Sequence, residues 1–246
     1  MAHAERLAAD GADVLDLGPS SSNPDGGSVG APEEIRRLDP VITALHDAGR
    51  RVSIDSPLDE TQRFGLARGV AFLNDIRAFP DAEIYPALAA ADCGLVVMHS
   101  IQQAVVADRR EMAPSDVIEG MFAFFARRIS RMESAGISRR RLVLDPGMGF
   151  FLGANPEPSL AAMAALPRLR AEFGCPVLVS VSRKSFLGAL TGRGVGQRGA
   201  ATLAAELACA RLGADWIRTH DVAGLRDGLT IEARVSSFHI EASVRR

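Results

Sequence analysis

Apolar residues along the chain fall into short continuous runs rather than alternating ones. Runs at residues 14–17, 52–54, 71–73, 94–98, 141–144, 177–181 and 215–219 are rich in Val, Ile and Leu, and each leads into a polar or glycine cluster. Runs of this kind predict parallel strands covered on both faces. The stretches between them carry helical periodicity. In residues 115–135, Val117, Met121, Phe122, Phe125, Ile129 and Met132 recur three or four positions apart, which puts them on one helix face. Asp116 with Glu119 is expected to cap the start of that helix and Gly136 to end it. The aromatic stripe Phe122, Phe124 and Phe125 reads as helix packing. Residues 33–48, 57–68, 158–173, 186–190 and 200–212 read as helices too. One strand-plus-helix unit takes roughly 30 residues, the length of a βαβ crossover.

Seven strands alternating with helices are one short of an eight-stranded barrel. The chain also opens on a helix, residues 1–10, with Ala4, Leu7 and Ala8 on one face, that leads straight into the strand at 14–17. In such a barrel a helix of this kind comes after the first strand and runs into the second. The expected fold is therefore α/β, a (β/α)8 TIM-type barrel lacking its first strand and loop, with Met1 an internal methionine taken as the start. An open doubly wound sheet of seven strands is the competing arrangement. A single domain is expected over residues 1–235, with a separate tail at 236–246.

Composition narrows the function classes. The 246 residues are 47% apolar and 24% charged, ordinary globular usage that excludes a disordered chain. A net charge of −2 gives no footing for a nucleic-acid partner. No run is long and apolar enough for a membrane span, and the charged N-terminus does not read as a secretory signal. Cys93, Cys175 and Cys209 are scattered and odd in number, which fits neither a disulfide framework nor a metal site and suits a reducing cytoplasm. One count is unusual. Among 28 basic residues, Lys184 is the only lysine. Drift towards arginine codons accounts for the arginines but not for the survivor, because a planar guanidinium cannot replace a compact ammonium where shape matters. Lys184 is thus a functional candidate before any motif is considered.

Barrel enzymes build their sites at the C-terminal ends of strands, and here nearly every predicted strand ends in chemistry. The endings are Asp16-Leu17-Gly18, Ser53-Ile54-Asp55, Asn74-Asp75, Met98-His99, Asp145-Pro146-Gly147, Ser182-Arg183-Lys184 and Arg218-Thr219-His220. Arg218 and His220 lie two apart on a strand and so share a face. A guanidinium beside an imidazole suits a phosphate or diphosphate, and an ion pair of Arg218 with Asp215 or Asp221 is the structural alternative. Asp55, Asn74 and Asp145 offer acceptors and an amide that match the edge of a flat, nitrogen-rich heterocycle, and each alone also reads as a strand-end cap. Several other patterns fail their context. His99 has no HxH or HExxH partner, so a protein-bound zinc is not expected. Residues 194–199 match GxGxxG but come after a helix and read as a loop. Ser182 and Ser185 have no local histidine, so no acyl-transfer triad is expected.

Together these segments resemble dihydropteroate synthases. The resemblance rests on DLGPSSSNP at 16–24, SID at 53–55, LNDI at 73–76, VMH at 97–99, LDPGMGF at 144–150, SVSRKSFLG at 180–188 and IRTHD at 217–221. The wording FLNDIRAFPDAEIYP and GAATLAAELA is similar to the sulfonamide-insensitive branch of that family. The resemblance implies an enzyme of folate synthesis, a cytoplasmic homodimer without nucleic-acid or membrane partners. It joins 4-aminobenzoate to 6-hydroxymethyl-7,8-dihydropterin diphosphate and releases diphosphate. It further implies that Asp55, Asn74, Met98 and Asp145 hold the pterin, that Lys184 meets the pterin and lines the aminobenzoate channel, and that Arg218 and His220 bind the diphosphate. Lys184, Asp55, Arg218 and His220 are then the catalytic set. Ser21 and Ser22 would cover the aminobenzoate, and Phe186 would narrow that pocket against sulfonamides. Mg2+ would neutralise the diphosphate, its protein ligand lying in the absent first loop.

Departures from the family pattern accompany the resemblance. The loop usually written Ser-Thr-Arg-Pro reads Ser21-Ser22-Asn23-Pro24, and Gly-Phe-Gly-Lys reads Gly149-Phe150-Phe151-Leu152, bulkier and uncharged. The absent strand leaves the activity of this chain open. A pterin-binding protein without turnover and a pterin-dependent methyltransferase are the competing functions. The anion pair Arg218 and His220 separates them from the synthase, since methyl transfer needs no diphosphate pocket.

Overall fold

The structure, a computed structural model, describes residues 1–20, 29–101 and 112–244, with side chains to 238. Each apolar run of the sequence becomes a strand: β1 (Leu15–Leu17), β2 (Val52–Asp55), β3 (Phe72–Asp75), β4 (Gly94–Met98), β5 (Leu142–Asp145), β6 (Leu178–Val179) and β7 (Trp216–Ile217). The last two are shorter than the runs that predicted them. Helices α1 (Ala2–Ala9), α2 (Ala31–Asp47), α3 (Asp59–Ala67), α4 (Tyr85–Ala90), α5 (Pro114–Ser134), α6 (Glu157–Ala164), α7 (Leu166–Phe173), α8 (Ser185–Thr191), α9 (Gly199–Arg211) and α10 (Val222–Val244) alternate with them.

Local chemistry explains most boundaries and corrects some expectations. Helix α5 starts at Pro114 with Ala113 as N-cap and no side-chain cap bond. The fixed φ of proline, not a box of Asp116 and Glu119, sets that start. Gly136 does end it, at φ +86° with its N–H on the Glu133 carbonyl. The single helix expected over 158–173 is two, broken at Ala165, because Pro167 has no N–H for the carbonyl four residues back. Helix α10 runs unbroken through the boundary expected at 235.

All strand pairs are parallel, and the order is β1-β2-β3-β4-β5, then β6-β7, with Leu144 of β5 bridged to Val177 just before β6. Strands therefore lie side by side in chain order. A doubly wound sheet reverses its order in the middle, so this is barrel topology. Curling is visible in the contacts. The rings of Phe72 on β3 and Trp216 on β7 meet edge to face at 5.3 Å. Gly94 of β4 leaves room for the Phe72 ring, which a Cβ there would approach to 2.3 Å. Ile54, Leu73, Leu95, Val97, Leu142 and Leu144 are fully buried and alternate with Ser53, Asn74, Val96 and Val143, which line the barrel interior. The first set joins the core under the helices; the second, partly polar, surrounds a cavity of about 860 Å³.

Among the described residues β1 and β7 each have one strand neighbour only. The cavity reaches the surface between them, where Leu7 of α1 and Leu225 and Leu229 of α10 form its outer wall. None of the described helices is long and apolar enough to cross a membrane.

Candidate active site

The strand tips converge. Arg218, one residue past β7, forms an ion pair through Nε with Asp16 on β1 at 2.9 Å and donates a hydrogen bond from Nη1 to Asp55 on β2 at 2.9 Å. The fork thus closes the seam between first and last strands and, among the described residues, leaves its Nη2 amino group uncommitted. The alternative pairs form elsewhere: Asp215 meets Arg170 and the Val177 N–H, and Asp221 accepts the Gly224 N–H. Asp145 and Lys184 attract each other, with Arg218 close enough to act on both and Asp55 on Lys184. Asn74, on β3 beside Asp55 in register, is 5% exposed and lines the cavity. Among the described residues its Oδ1 has no hydrogen-bond partner.

Electrostatics follow from burial. Asp145 is pushed up to about 6 by desolvation, against a bond from the Gly147 N–H and the pull of Lys184. Asp55 is also pushed up to about 6 by desolvation, against Arg218 and with help from Asp16. Burial holds the Lys184 ammonium below the usual lysine range, and its Nζ sits 5.1 Å from the centre of the Phe151 ring. Burial, and after it the cations Arg183, Arg218 and Lys184, lowers His220. Its Nδ1 lies 2.9 Å from Ser182 Oγ. His99 is buried, bonded to the Pro146 carbonyl at 3.3 Å and lowered to about 4 by desolvation. It is a neutral packing residue.

The backbone that carries Asp145 tolerates only glycine at the next turn. Gly147 stands at φ +72°, and a Cβ there would lie 2.2 Å from the His99 carbonyl oxygen. The sequence Asp-Pro-Gly thereby lets β4 and β5 tips touch.

Of the expected site residues, Asp55, Asn74, Asp145, Lys184, Arg218 and His220 come together at one mouth. Met98 ends β4 level with Asp145, 7% exposed. Phe186 is a correction: it is 1% exposed within the hydrophobic core, because the first turn of α8 directs it inward, and it does not line the cavity. Ser21 and Ser22 lie outside the described residues. Asp16 and Ser182 stand among the strand endings with no expected role, yet they hold Arg218 and His220. The readable signal for Asp16 is that a guanidinium aimed at the mouth needs more acceptors than one. Among the described residues no three His, Cys, Asp or Glu side chains converge as metal ligands, and Asp16 and Asp55 are engaged by Arg218. The donor set does not fit a resident magnesium ion.

Comparison with known proteins agrees with this geometry. Residues 1–220 match the family of pterin binding enzymes. The chain is 58% identical over 233 residues to dihydropteroate synthase type-2 of Escherichia coli, covering 95% of this chain and 86% of that protein. It is 50% identical to the type-3 synthase of the same organism over 93% of this chain and 87% of that one. Solved structures of similar shape include the dihydropteroate synthase of Xanthomonas albilineans in complex with 7,8-dihydropteroate, with TM-score 0.83 at 38% identity, covering 96% of this chain and 86% of that one. The Burkholderia cenocepacia synthase, also complexed with 7,8-dihydropteroate, superposes with TM-score 0.87 at 32% identity over 100% and 88% of the two chains. A barrel with a partly polar interior and charged strand tips, matched over nearly its whole length, belongs to the dihydropteroate synthase family of pterin-binding enzymes.

Proposed function

We propose that the protein condenses 4-aminobenzoate with 6-hydroxymethyl-7,8-dihydropterin diphosphate, forming 7,8-dihydropteroate and diphosphate. The observation that carries this reading is the buried, unpartnered Oδ1 of Asn74 beside Asp55 at the cavity wall. A buried polar atom without a partner costs stability unless a ligand satisfies it, and an aminopyrimidinone edge supplies the matching N–H groups. Asp55 and Asp145 accept further N–H bonds from that edge. Lys184 stands between the heterocycle and the exit to Phe151. Arg218 Nη2 and His220 Nε2 take the leaving diphosphate. Departure of the anion leaves positive charge on the pterin methylene, which the facing carboxylates stabilise while the arylamine attacks. Catalysis by position and charge of this kind needs no covalent nucleophile.

Several finer statements go with this reading. Magnesium, where present, travels with the diphosphate as part of the substrate. Three buried thiols suit a cytoplasmic enzyme. Ile231, Val235 and Phe238 are exposed along one side of α10, and an apolar strip of this kind favours a homodimer. Weak inhibition by sulfonamides accords with the bulk of Phe151 beside Lys184.

The test is release of diphosphate on mixing the two substrates with the purified chain. Release that depends on both substrates supports the synthase. Tight pterin binding with no release supports the pterin-binding alternative instead.

A further inference from the structure

Strands β6 and β7 are tied by two residue pairs only, Leu178 with Trp216 and Val179 with Ile217, and the ladder ends at Arg218 N–H on the Val179 carbonyl. Residues 180–184 and 219–221 therefore leave the sheet before they reach the site. Yet their tips carry Lys184, Arg218 and His220. Ser182 Oγ ties to His220 directly, and beyond that one contact something other than the sheet must set their spacing.

One face of α9 does so. Arg198, Thr202 and Glu206 are four apart and stack on one side of the helix. Arg198 donates from Nη1 to the carbonyls of Arg183 at 2.9 Å and Lys184 at 3.3 Å. Its guanidinium fits only because residue 188 is glycine, where a Cβ would come within 2.2 Å of it. Thr202 Oγ1 accepts the Arg183 N–H at 3.1 Å. Arg183 stands at φ +58°, a conformation that L side chains avoid, so these bonds hold the left-handed turn that aims Lys184. One turn on, Glu206 is 1% exposed and its carboxyl feels the Thr219 hydroxyl, whose oxygen accepts the Asp221 N–H. Among the described residues Glu206 Oε1 has no hydrogen-bond partner. A buried carboxylate on a helix of small apolar residues does not serve packing.

We propose that this face of α9 is a brace joining the β6 and β7 tips, and that Glu206 is a positioning residue for the diphosphate pocket, acting through Thr219 on Arg218 and His220. Desolvation pushes Glu206 up to about 7, so a neutral side chain at this position can make the same contact. The inference rests on the assignment of Arg218 and His220 to diphosphate.

The test measures the affinity of the full chain for inorganic diphosphate by calorimetry, and KM for each substrate, in Glu206→Ala, Glu206→Gln and Thr219→Val. Expected is a loss of about tenfold in diphosphate affinity, with a matching rise in KM for the pterin diphosphate, in Glu206→Ala and Thr219→Val. KM for 4-aminobenzoate stays within about twofold, and Glu206→Gln, which keeps an acceptor for the Thr219 hydroxyl, recovers the affinity. Unchanged diphosphate affinity in folded Thr219→Val overturns the brace, as does a loss confined to melting temperature or active fraction. A parent chain that binds diphosphate but does not turn over argues against the synthase and leaves the affinity comparison able to judge the brace.

Discussion

At the scale of single residues the site is a set of charges that burial has made expensive to keep. Lys184 is held below the usual lysine range by desolvation and steadied by Asp145. Lys184→Ala is expected to lower kcat by at least about 100-fold with little change in melting temperature, and Lys184→Arg to be nearly as damaging; single-turnover kinetics beside a thermal melt separates the two effects. Asp55 and Asp145, both pushed up to about 6 by burial, must be ionised to accept N–H groups from a pterin. Pterin affinity is expected to fall as pH drops through 6, by up to about tenfold per unit for each proton taken up. A dissociation constant that stays flat between pH 7.5 and 5 would refute this. Stability moves the other way. A carboxyl whose folded pKa is raised binds its proton more tightly in the native state, so its contribution falls as pH rises from about 4 to 6. Asp145→Asn should therefore relieve up to about 3 kcal/mol of desolvation at pH 7, offset in part by the counter-charge that Lys184 loses, while losing pterin. Asp55, Asn74, Asp145, Arg218 and His220 were legible in the sequence because a strand puts every second residue on one face. Phe186 was not, since the residues next to a motif carry no sign of which way a helix will turn them.

At the scale of elements, the strands were readable and the connections less so. A continuous apolar run has one meaning in a covered parallel sheet, and all seven runs became strands. Helix α10 went unread because apolar residues fall all round it, leaving Ile231, Val235 and Phe238 exposed, so no stripe marks a buried face. The break between α6 and α7 was written in Pro167 but hidden by the periodicity on either side. The tightest element is the turn after β5. Gly147→Ala is expected to destabilise by about 3 kcal/mol or more, because φ +72° and the His99 carbonyl both oppose a Cβ. Chemical denaturation would measure the loss, and a change under about 0.5 kcal/mol would mean that the turn can shift at little cost.

At the scale of the molecule, the seam between β1 and β7 decides how the barrel behaves. Arg218 bridges it at the top through Asp16 and Asp55, while below it the cavity wall is made of side chains from α1 and α10. A barrel joined there by ion pairs rather than by a strand ladder is expected to open first along that line. Amide exchange should be fastest in β1 and β7 and slowest in β3 and β4. A pterin at 100 times its dissociation constant should raise stability by about 2.7 kcal/mol, and slower exchange at β1 and β7 would show that the ligand closes the seam. Barrel closure was legible as topology but not as contacts, because the ring pair of Phe72 and Trp216 joins residues far apart in the chain.

The solitary lysine gives the protein a chemical asymmetry of practical use. Apart from the terminal amine, Lys184 holds the only primary amino group in the chain. Nitrogen-15 lysine labelling would yield a single side-chain resonance, and an acylating reagent would have one internal target. Both would report on occupancy of the pterin pocket without a mutation or an attached dye.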